Sequence, residues 1–254
     1  MKTIIIIYLL VIAPFAAIGQ GAAGSAAVNE TRYTIDMPTA GMLAKSSFAV
    51  RADFFDGGGI MADFAVSPFT NFELGISYAV NNFIGGEKPE FPELPGVNAK
   101  FRIINEKSTF PALAIGINTQ GAGRWLGGID RYMVCSPGAY LAASKNFLWW
   151  PGDISLHGGI NYSFEPRPED RSPNGYIGIE QSLGGSLALN FEYNLYPGAD
   201  GHKMWNSGGL LSTSLRWSVA RGLTLELQLR DLLNSRNGSD SPVRFVRFYY
   251  SSGF

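Results

Sequence analysis

An alternation of apolar and polar residues, running from about residue 46 to the end, constrains the fold of this chain more than any other feature. It is clearest in the segments 187–193 (LALNFEY) and 223–230 (LTLELQLR). A repeat of two residues is typical of a β-strand with one apolar face, and no segment keeps a helical repeat for long. We therefore predict an all-β fold.

Turn-forming residues divide the alternating region into about twelve segments. The sixth segment is the least regular, because Pro137 and Gly138 interrupt it. The predicted strands lie near 46–55, 59–66, 71–82, 96–106, 111–119, 132–145, 153–165, 175–183, 185–195, 208–219, 222–232 and 242–254.

Alternation alone does not distinguish a soluble barrel from one that crosses a membrane, because both have one apolar face. The polar positions here are mostly Gly, Ser, Ala and Asn, and charged residues make up only 16% of the chain, against about 25% in ordinary soluble domains. The pattern therefore predicts a transmembrane antiparallel β-barrel. Four large apolar residues illustrate the side chains that we expect to face lipid: Phe64, Phe101, Ile115 and Leu210.

The lengths of the connections also indicate a membrane barrel. Short connections such as 67–70, 107–110 and 220–221 alternate with long ones such as 83–95, 166–174 and 197–207, and only the first, 56–59, breaks the rule. Transmembrane barrels have short periplasmic turns and longer outer loops. An even number of strands then places both termini of the barrel segment in the periplasm.

The first residues predict export. Residues 1–19 contain Lys2, an apolar run and then Ala17 and Gly19, which is the order of a secretory signal peptide. An uncleaved anchor is the alternative, but Pro14 interrupts the run before the ~20 apolar residues that a spanning helix needs. Residues 20–43 are rich in Gly, Ala and Ser, which predicts an extended periplasmic leader, and 44–254 form the predicted barrel.

These features together predict a protein of the bacterial outer membrane. Phe254 follows Phe248 and Tyr250 with the same parity, and a terminal aromatic residue of this kind resembles the signal by which such barrels are recognised for assembly. We expect outer-membrane lipid and the barrel-assembly machinery as partners. A net charge of -1 and a pI near 6.1 argue against nucleic acid, and the single Cys135 leaves no intramolecular disulfide or zinc site.

Four short passages resemble a particular group of proteins. The segments 37–41 (MPTAG), 111–116 (PALAIG), 142–145 (AASK) and 156–162 (LHGGINY) resemble the YjbH-like outer-membrane β-barrel proteins. The resemblance implies a β-barrel linked to exopolysaccharide production. It places no catalytic residue, metal or cofactor on this sequence.

The inward faces of the predicted strands carry charges of both signs, which form either the selectivity ladder of a channel or a network of pairs that fills the lumen. The hairpin turns place Arg51 opposite Asp63, and Arg216 opposite Glu226. The predicted lumen-lining residues are Arg51, Asp53, Asp63, Glu73, Lys100, Arg102, His157, Glu180, Glu192, Arg216, Glu226 and Arg230.

The function that we predict is passage or surface handling of a solute or polysaccharide. A barrel-embedded hydrolase is one alternative, for which His157 would need a serine from a neighbouring strand. His202 lies in a long loop and is predicted to be a solvated surface residue. The other alternative is a structural or assembly barrel with a closed lumen.

Overall fold

The computed structural model describes residues 30–150, 152–166, 173–195, 209–236 and 242–254. The predicted signal peptide 1–19 and His202 lie outside the described residues. The strands of the described part are β1 Ser47–Phe55, β2 Gly59–Phe69, β3 Phe72–Val80, β4 Gly96–Ile104, β5 Ala112–Asn118, β6 Ala122–Leu126, β7 Arg131–Val134, β8 Gly138–Trp149, β9 Gly152–Tyr162, β10 Asn174–Leu183, β11 Leu187–Asn194, β12 Leu210–Ala220, β13 Leu223–Arg230 and β14 Val243–Gly253.

Twelve of these strands close into one barrel in the order β1-β14-β13-β12-β11-β10-β9-β8-β5-β4-β3-β2. Every neighbouring pair is antiparallel, and β1 pairs with β14 from Ser47 opposite Gly253 to Phe54 opposite Val246. The barrel therefore has no free sheet edge, as closure requires. The structure confirms the predicted fold class.

The sixth predicted strand, 132–145, is wrong as a single strand. Its first part is β7, which pairs with β6 in a separate hairpin, and its second part is the start of β8. Gly138 has a φ of 63°, a left-handed conformation that glycine adopts without strain, and the chain changes direction there. Tyr132 of the hairpin packs against the inward-facing Phe55 and Phe245, so the hairpin covers the lumen at that end.

The connections confirm the predicted alternation of short and long. The short ones, 70–71, 105–111, 150–151, 184–186 and 221–222, join strands at the same end as Ser47 and Gly253. The longer ones join strands whose ends lie at the opposite end of the barrel, where the tight turn Asp56–Gly58 is the exception already visible in the sequence. Among the described residues, no helix has the length and apolar character needed to cross a membrane.

The two faces of the wall differ in chemistry. Large apolar side chains such as Phe64, Ile115 and Ile177 are exposed on the outside, while serine, asparagine, alanine and charged side chains are buried inside. Leu210 is a correction to the sequence analysis, because it faces inward and packs with Met37 and Tyr176. It shares the parity of the buried Ser212 and Ser214, which the apolar character of residue 210 concealed.

Residues 30–43, which we call the luminal segment, lie inside the barrel. Every residue from 32 to 43 is buried, and the segment folds back on itself through an isolated bridge between Tyr33 and Pro38. The composition of residues 20–43 predicts an extended periplasmic leader, whereas residues 30–43 of that stretch lie within the barrel. Small inward residues of the wall make room for the segment, since Ala40 packs on Ala112 and Ala114.

Candidate functional site

The candidate site is the lumen, where charged wall residues bind the backbone of the luminal segment. Glu192 of β11 accepts hydrogen bonds from three successive backbone N–H groups, those of Ile35, Asp36 and Met37, at 2.9 to 3.2 Å. Successive N–H groups that converge in this way form a concave anion-binding site. Glu192 therefore holds the turn of the segment through its backbone.

Arg216 of β12 is the contact point between the segment and three strands. Its guanidinium donates to the backbone oxygens of Tyr33 and Thr34 at 3.1 and 3.0 Å. It also donates to Glu180 on β10 at 2.6 Å and to Glu226 on β13 at 3.4 Å. The predicted pair of Arg216 and Glu226 is thus present in the β12–β13 register, but Glu180 is the closer partner.

Two further cations hold the ends of the segment. Arg32 donates through Nε to Glu73 of β3 at 2.9 Å, and Glu73 also accepts the backbone N–H of Leu43 at 3.1 Å. Lys100 of β4 donates to the carbonyl oxygens of Arg32 and Gly41 at 3.3 and 2.9 Å. Both ends of the segment are therefore fixed to neighbouring strands.

A second group of ion pairs joins the segment to the last two strands. Arg230 lies 2.7 Å from Asp36 of the segment. Arg247 of β14 forms a bidentate pair with Asp53 of β1 at 2.7 and 2.9 Å and donates to the carbonyl oxygen of Ile35 at 2.9 Å. A bidentate guanidinium–carboxylate pair is among the stronger and more directional protein contacts, and here it spans the junction where the barrel closes.

The aromatic ring of Tyr33 lies among three cations. Arg51 stands 4.6 Å from the ring centre, Lys100 5.5 Å and Arg32 5.6 Å. Cations within about 6 Å of an aromatic face are attracted by its quadrupole. A cavity beside Tyr33 measures only about 20 Å³, which is room for roughly one water molecule. The lumen is closely packed at this level.

The structure places all twelve predicted lumen-lining residues on the inward face of the barrel wall. Arg51 lies opposite Asp63 as the first hairpin predicts, yet its ion pair is with Asp53 at 4.0 Å. Arg102 lies at the end near the short turns and pairs with Glu30 of the luminal segment. Ten of the twelve are buried: Arg51, Asp53, Asp63, Glu73, Lys100, His157, Glu180, Glu192, Glu226 and Arg230.

Several charged residues of the network are absent from the sequence prediction, namely Arg247 of β14 and Glu30, Arg32 and Asp36 of the luminal segment. Arg247 follows the inward parity of Phe245 and Ser251, which a stricter count along β14 reveals. Arg32 and Asp36 lie in the luminal segment, where no period in the sequence indicates a lumen position. The only sequence feature that indicates a luminal position for them is the presence of opposite charges on the inward faces of the predicted strands.

His157 has the neighbour that the hydrolase alternative requires. Ser144 of β8 lies directly across from His157 of β9, and its Oγ is 2.9 Å from the ring Nδ1. The same Oγ accepts the backbone N–H of Ala40 at 2.9 Å. Among the described residues, no hydrogen-bond partner orients Nε2 of His157, so the third member of a catalytic triad is missing from this contact.

Comparisons with known proteins return barrels of low similarity. The KdgM porin in complex with disordered oligogalacturonate aligns with a TM-score of 0.48 at 11% identity, over 82% of this chain and 99% of that chain. The NanC porin aligns with a TM-score of 0.42 at 10% identity, over 82% and 99%. No family profile and no curated protein matches the sequence. The resemblance to YjbH-like barrels stays a prediction, and the fold assignment rests on this chain's own strand pairing.

Proposed function

We propose that this protein is a bacterial outer-membrane β-barrel for passage or surface handling of a solute or polysaccharide, held closed at rest by its luminal segment. The observation that carries the proposal is the way in which the segment is held. It contributes no strand to the closed barrel, and it is held to the wall by hydrogen bonds, ion pairs and small apolar contacts such as that of Ala40 with Ala112. The segment can therefore leave the lumen while every strand pair of the wall stays intact.

The outer surface supports the membrane location. Soluble monomers rarely expose a continuous apolar surface of more than a few hundred Å², whereas here exposed Phe, Leu and Ile residues follow one another around the wall. Ile177 on β10 is 62% exposed and Leu227 on β13 is 51% exposed. Hydrocarbon is the solvent in which such a surface is stable. Lipid and the barrel-assembly machinery are then the partners of this surface.

The loop pattern supports an orientation. The start of the first strand, the end of the last strand and the short turns all lie at one end of the barrel. We assign this end to the periplasm by the usual rule for such barrels. The luminal segment enters from that end, since it continues directly into β1 at Ser47. The longer loops and the β6–β7 hairpin then belong to the extracellular end of the barrel.

Single-channel recording on the full-length protein in planar bilayers tests the proposal. Gly178→Trp is the opening variant, because a Cβ at residue 178 would lie 2.6 Å from Oγ1 of Thr34 and would push the segment aside. Gly158→Trp is the control, because a Cβ at residue 158 makes only ordinary contacts. We expect a closed wild type, a closed control and a conducting Gly178→Trp.

Two results would contradict the proposal in different ways. A steady large current through the wild type would mean that the segment does not close the lumen. A Gly178→Trp barrel that carries no current, although its mobility on a gel shows that it is folded, would favour the structural or assembly barrel instead.

The contact of Ser144 with His157 supports a second candidate, an ester hydrolase. Ser144 would be the nucleophile and His157 the base that takes its proton. Hydrolysis of p-nitrophenyl acetate by the purified barrel, abolished in Ser144→Ala but not in Ser214→Ala, would establish this candidate. Equal rates in both variants and in buffer would eliminate it.

A further inference from the structure

Many contacts between the barrel wall and the luminal segment involve main-chain groups of the segment. Glu192 accepts three successive backbone N–H groups, and Ser144 accepts a fourth at 2.9 Å. In the other direction, Lys100, Tyr176 and Arg216 donate to backbone carbonyl oxygens of the segment. The inward face of the wall thus combines acceptors for N–H groups with donors for carbonyl groups.

This combination of groups matches a peptide chain. Main-chain N–H and carbonyl groups recur in every peptide, apart from the missing N–H of proline. Where main-chain hydrogen bonds supply the affinity, the side chains of the bound peptide are free to vary outside a few specific positions. All of these wall groups lose their partners together when the segment leaves the lumen, and a second peptide can replace those hydrogen bonds one for one.

Two side chains of the segment add a requirement for charge. Arg32 lies 2.9 Å from Glu73 through Nε and 3.8 Å from Asp63 through Nη1. Four residues later, Asp36 lies 2.7 Å from Arg230. The wall therefore has an acidic position on β2 and β3 and a basic position on β13. A neutral chain would leave both positions without an opposite charge, which is costly for groups removed from water.

We propose that the lumen, once the luminal segment has left it, binds a peptide with a basic residue and, four positions later, an acidic residue. The space that becomes available is that of residues 32–43, all of which are buried. The segment is then an internal occupant that excludes such peptides from the resting barrel. This inference rests on the proposed function, because it names the class of solute that the opened barrel handles.

An added peptide has to compete with a segment that is covalently attached to the wall. Only residues 44–46 separate the segment from β1 at Ser47. A short link of this kind raises the effective concentration of the attached segment to roughly the millimolar range. We therefore expect the wild-type barrel to exclude added peptide. A binding test needs variants in which the segment is weakened and the wall is unchanged.

The displaced variants are two full-length proteins that differ from the wild type only in the segment. Arg32→Glu with Asp36→Arg places like charges against Glu73 and Asp63 and against Arg230. Gly41→Val is the second displaced variant, because its Cβ meets the carbonyl oxygen of Thr31 within the segment itself. Protease cleavage within 30–43 reports whether the segment has left the lumen.

Fluorescence anisotropy on the detergent-folded proteins measures binding of a synthetic peptide with the sequence of residues 30–43, ETRYTIDMPTAGML. The fluorescein label is placed at its amino end, because the side chain of Glu30 is 44% exposed. The control peptide is N-methylated at residues 35 and 37, which keeps every side chain and removes two of the N–H groups that Glu192 accepts. Maltohexaose is the neutral oligosaccharide competitor.

Two wall substitutions, each combined with a displaced variant, locate the binding site. Glu192→Ala removes the acceptor of the three successive N–H groups. Glu106→Ala is the matched control, because this inward carboxylate pairs with Lys145 at 3.3 Å and accepts the backbone N–H of Asn146 at 2.9 Å, both on β8. A peptide in the lumen should respond to the first substitution and not to the second.

We expect the native peptide to bind both displaced variants but not the wild type. Its affinity should fall at least tenfold on N-methylation and in Glu192→Ala, and stay unchanged in Glu106→Ala. Absence of binding to either displaced variant, equal binding of the N-methylated peptide, or competition by maltohexaose would overturn the proposal. So would a segment that both displaced variants protect from protease, because the lumen would then not exchange its occupant.

This binding measurement needs no current, so the two proposals can fail separately. Peptide binding in variants that carry no current in planar bilayers would refute passage alone. Current through the displaced variants without peptide binding would refute this site alone.

Discussion

Replacing Arg216 by alanine should show whether the lumen is dry and packed. The substitution removes hydrogen bonds to the carboxylates of Glu180 and Glu226 and to two carbonyl oxygens of the luminal segment. Removing one partner of a buried ion pair costs about 3 to 5 kcal/mol, because the other charge stays buried without compensation. We therefore expect the free energy of unfolding to fall by about that amount.

The structure predicts which second substitution should restore stability to the Arg216→Ala variant. Glu180 is fully buried, and among the described residues Thr31 is its remaining hydrogen-bond partner once Arg216 is gone, whereas Glu226 keeps Arg247 at 3.6 Å. Arg216→Ala with Glu180→Ala should thus recover about 1 to 3 kcal/mol. Arg216→Ala with Glu226→Ala should recover less.

Urea unfolding from lipid vesicles, followed by tryptophan fluorescence, gives these free energies. Arg102→Ala is the matched control, because its partner Glu30 has a side chain that is 44% exposed, and exposed pairs contribute at most about 1 kcal/mol. If Arg216→Ala costs no more than Arg102→Ala, the lumen is filled with water and the packed network is refuted.

The remaining predictions concern the lipid face, the orientation and the segment. Ile179→Arg, in the middle of β10, should lower the free energy of unfolding in vesicles by about 2 to 4 kcal/mol, whereas Leu183→Arg at the end of that strand should cost about 0 to 1; equal costs would contradict a membrane midplane near Ile179. In a Cys135→Ala background, Gly86→Cys should react with an impermeant thiol reagent on intact cells, and Ser108→Cys only after the outer membrane is permeabilised; the reverse would invert the orientation. Gly41→Val should disrupt the fold of the luminal segment, because a Cβ there meets the carbonyl oxygen of Thr31 in the same segment. Rapid protease cleavage within 30–43 should report the disruption; a protected segment would show that this close approach is not needed.

The wall of the barrel is predictable from the sequence because it depends on local patterns. A repeat of two residues and the alternation of connection lengths place eleven of the twelve barrel strands within a few residues of their positions in the structure, and the sixth, predicted at 132–145, is the exception. The pairing of Arg216 with Glu226 follows from the short turn at 221–222. Each of these features is a contact between neighbours along the chain or across one hairpin.

The contents of the lumen are not predictable in the same way. The contact of Glu192 with Ile35 joins residues 157 positions apart, and the luminal segment has no repeat that would indicate burial. Many of its ties, such as those to Glu192 and Lys100, use backbone N–H and carbonyl groups, so they leave little signal in the identity of the side chains. The same holds for the β6–β7 hairpin, whose position depends on Phe55 and Phe245 on distant strands.

A disulfide between the luminal segment and the wall tests most directly whether the segment fills the lumen. An ideal Cβ at residue 178 lies 3.1 Å from Cβ of Thr34, close to the ~3.5 to 4.5 Å of a disulfide. In a Cys135→Ala background, Thr34→Cys with Gly178→Cys should therefore oxidise fully in the folded barrel and shift its mobility on a non-reducing gel. Thr34→Cys with Ile177→Cys, on the outward face, should stay reduced. Oxidation of the second pair in place of the first would contradict the account, because it would place residues 30–43 outside the barrel.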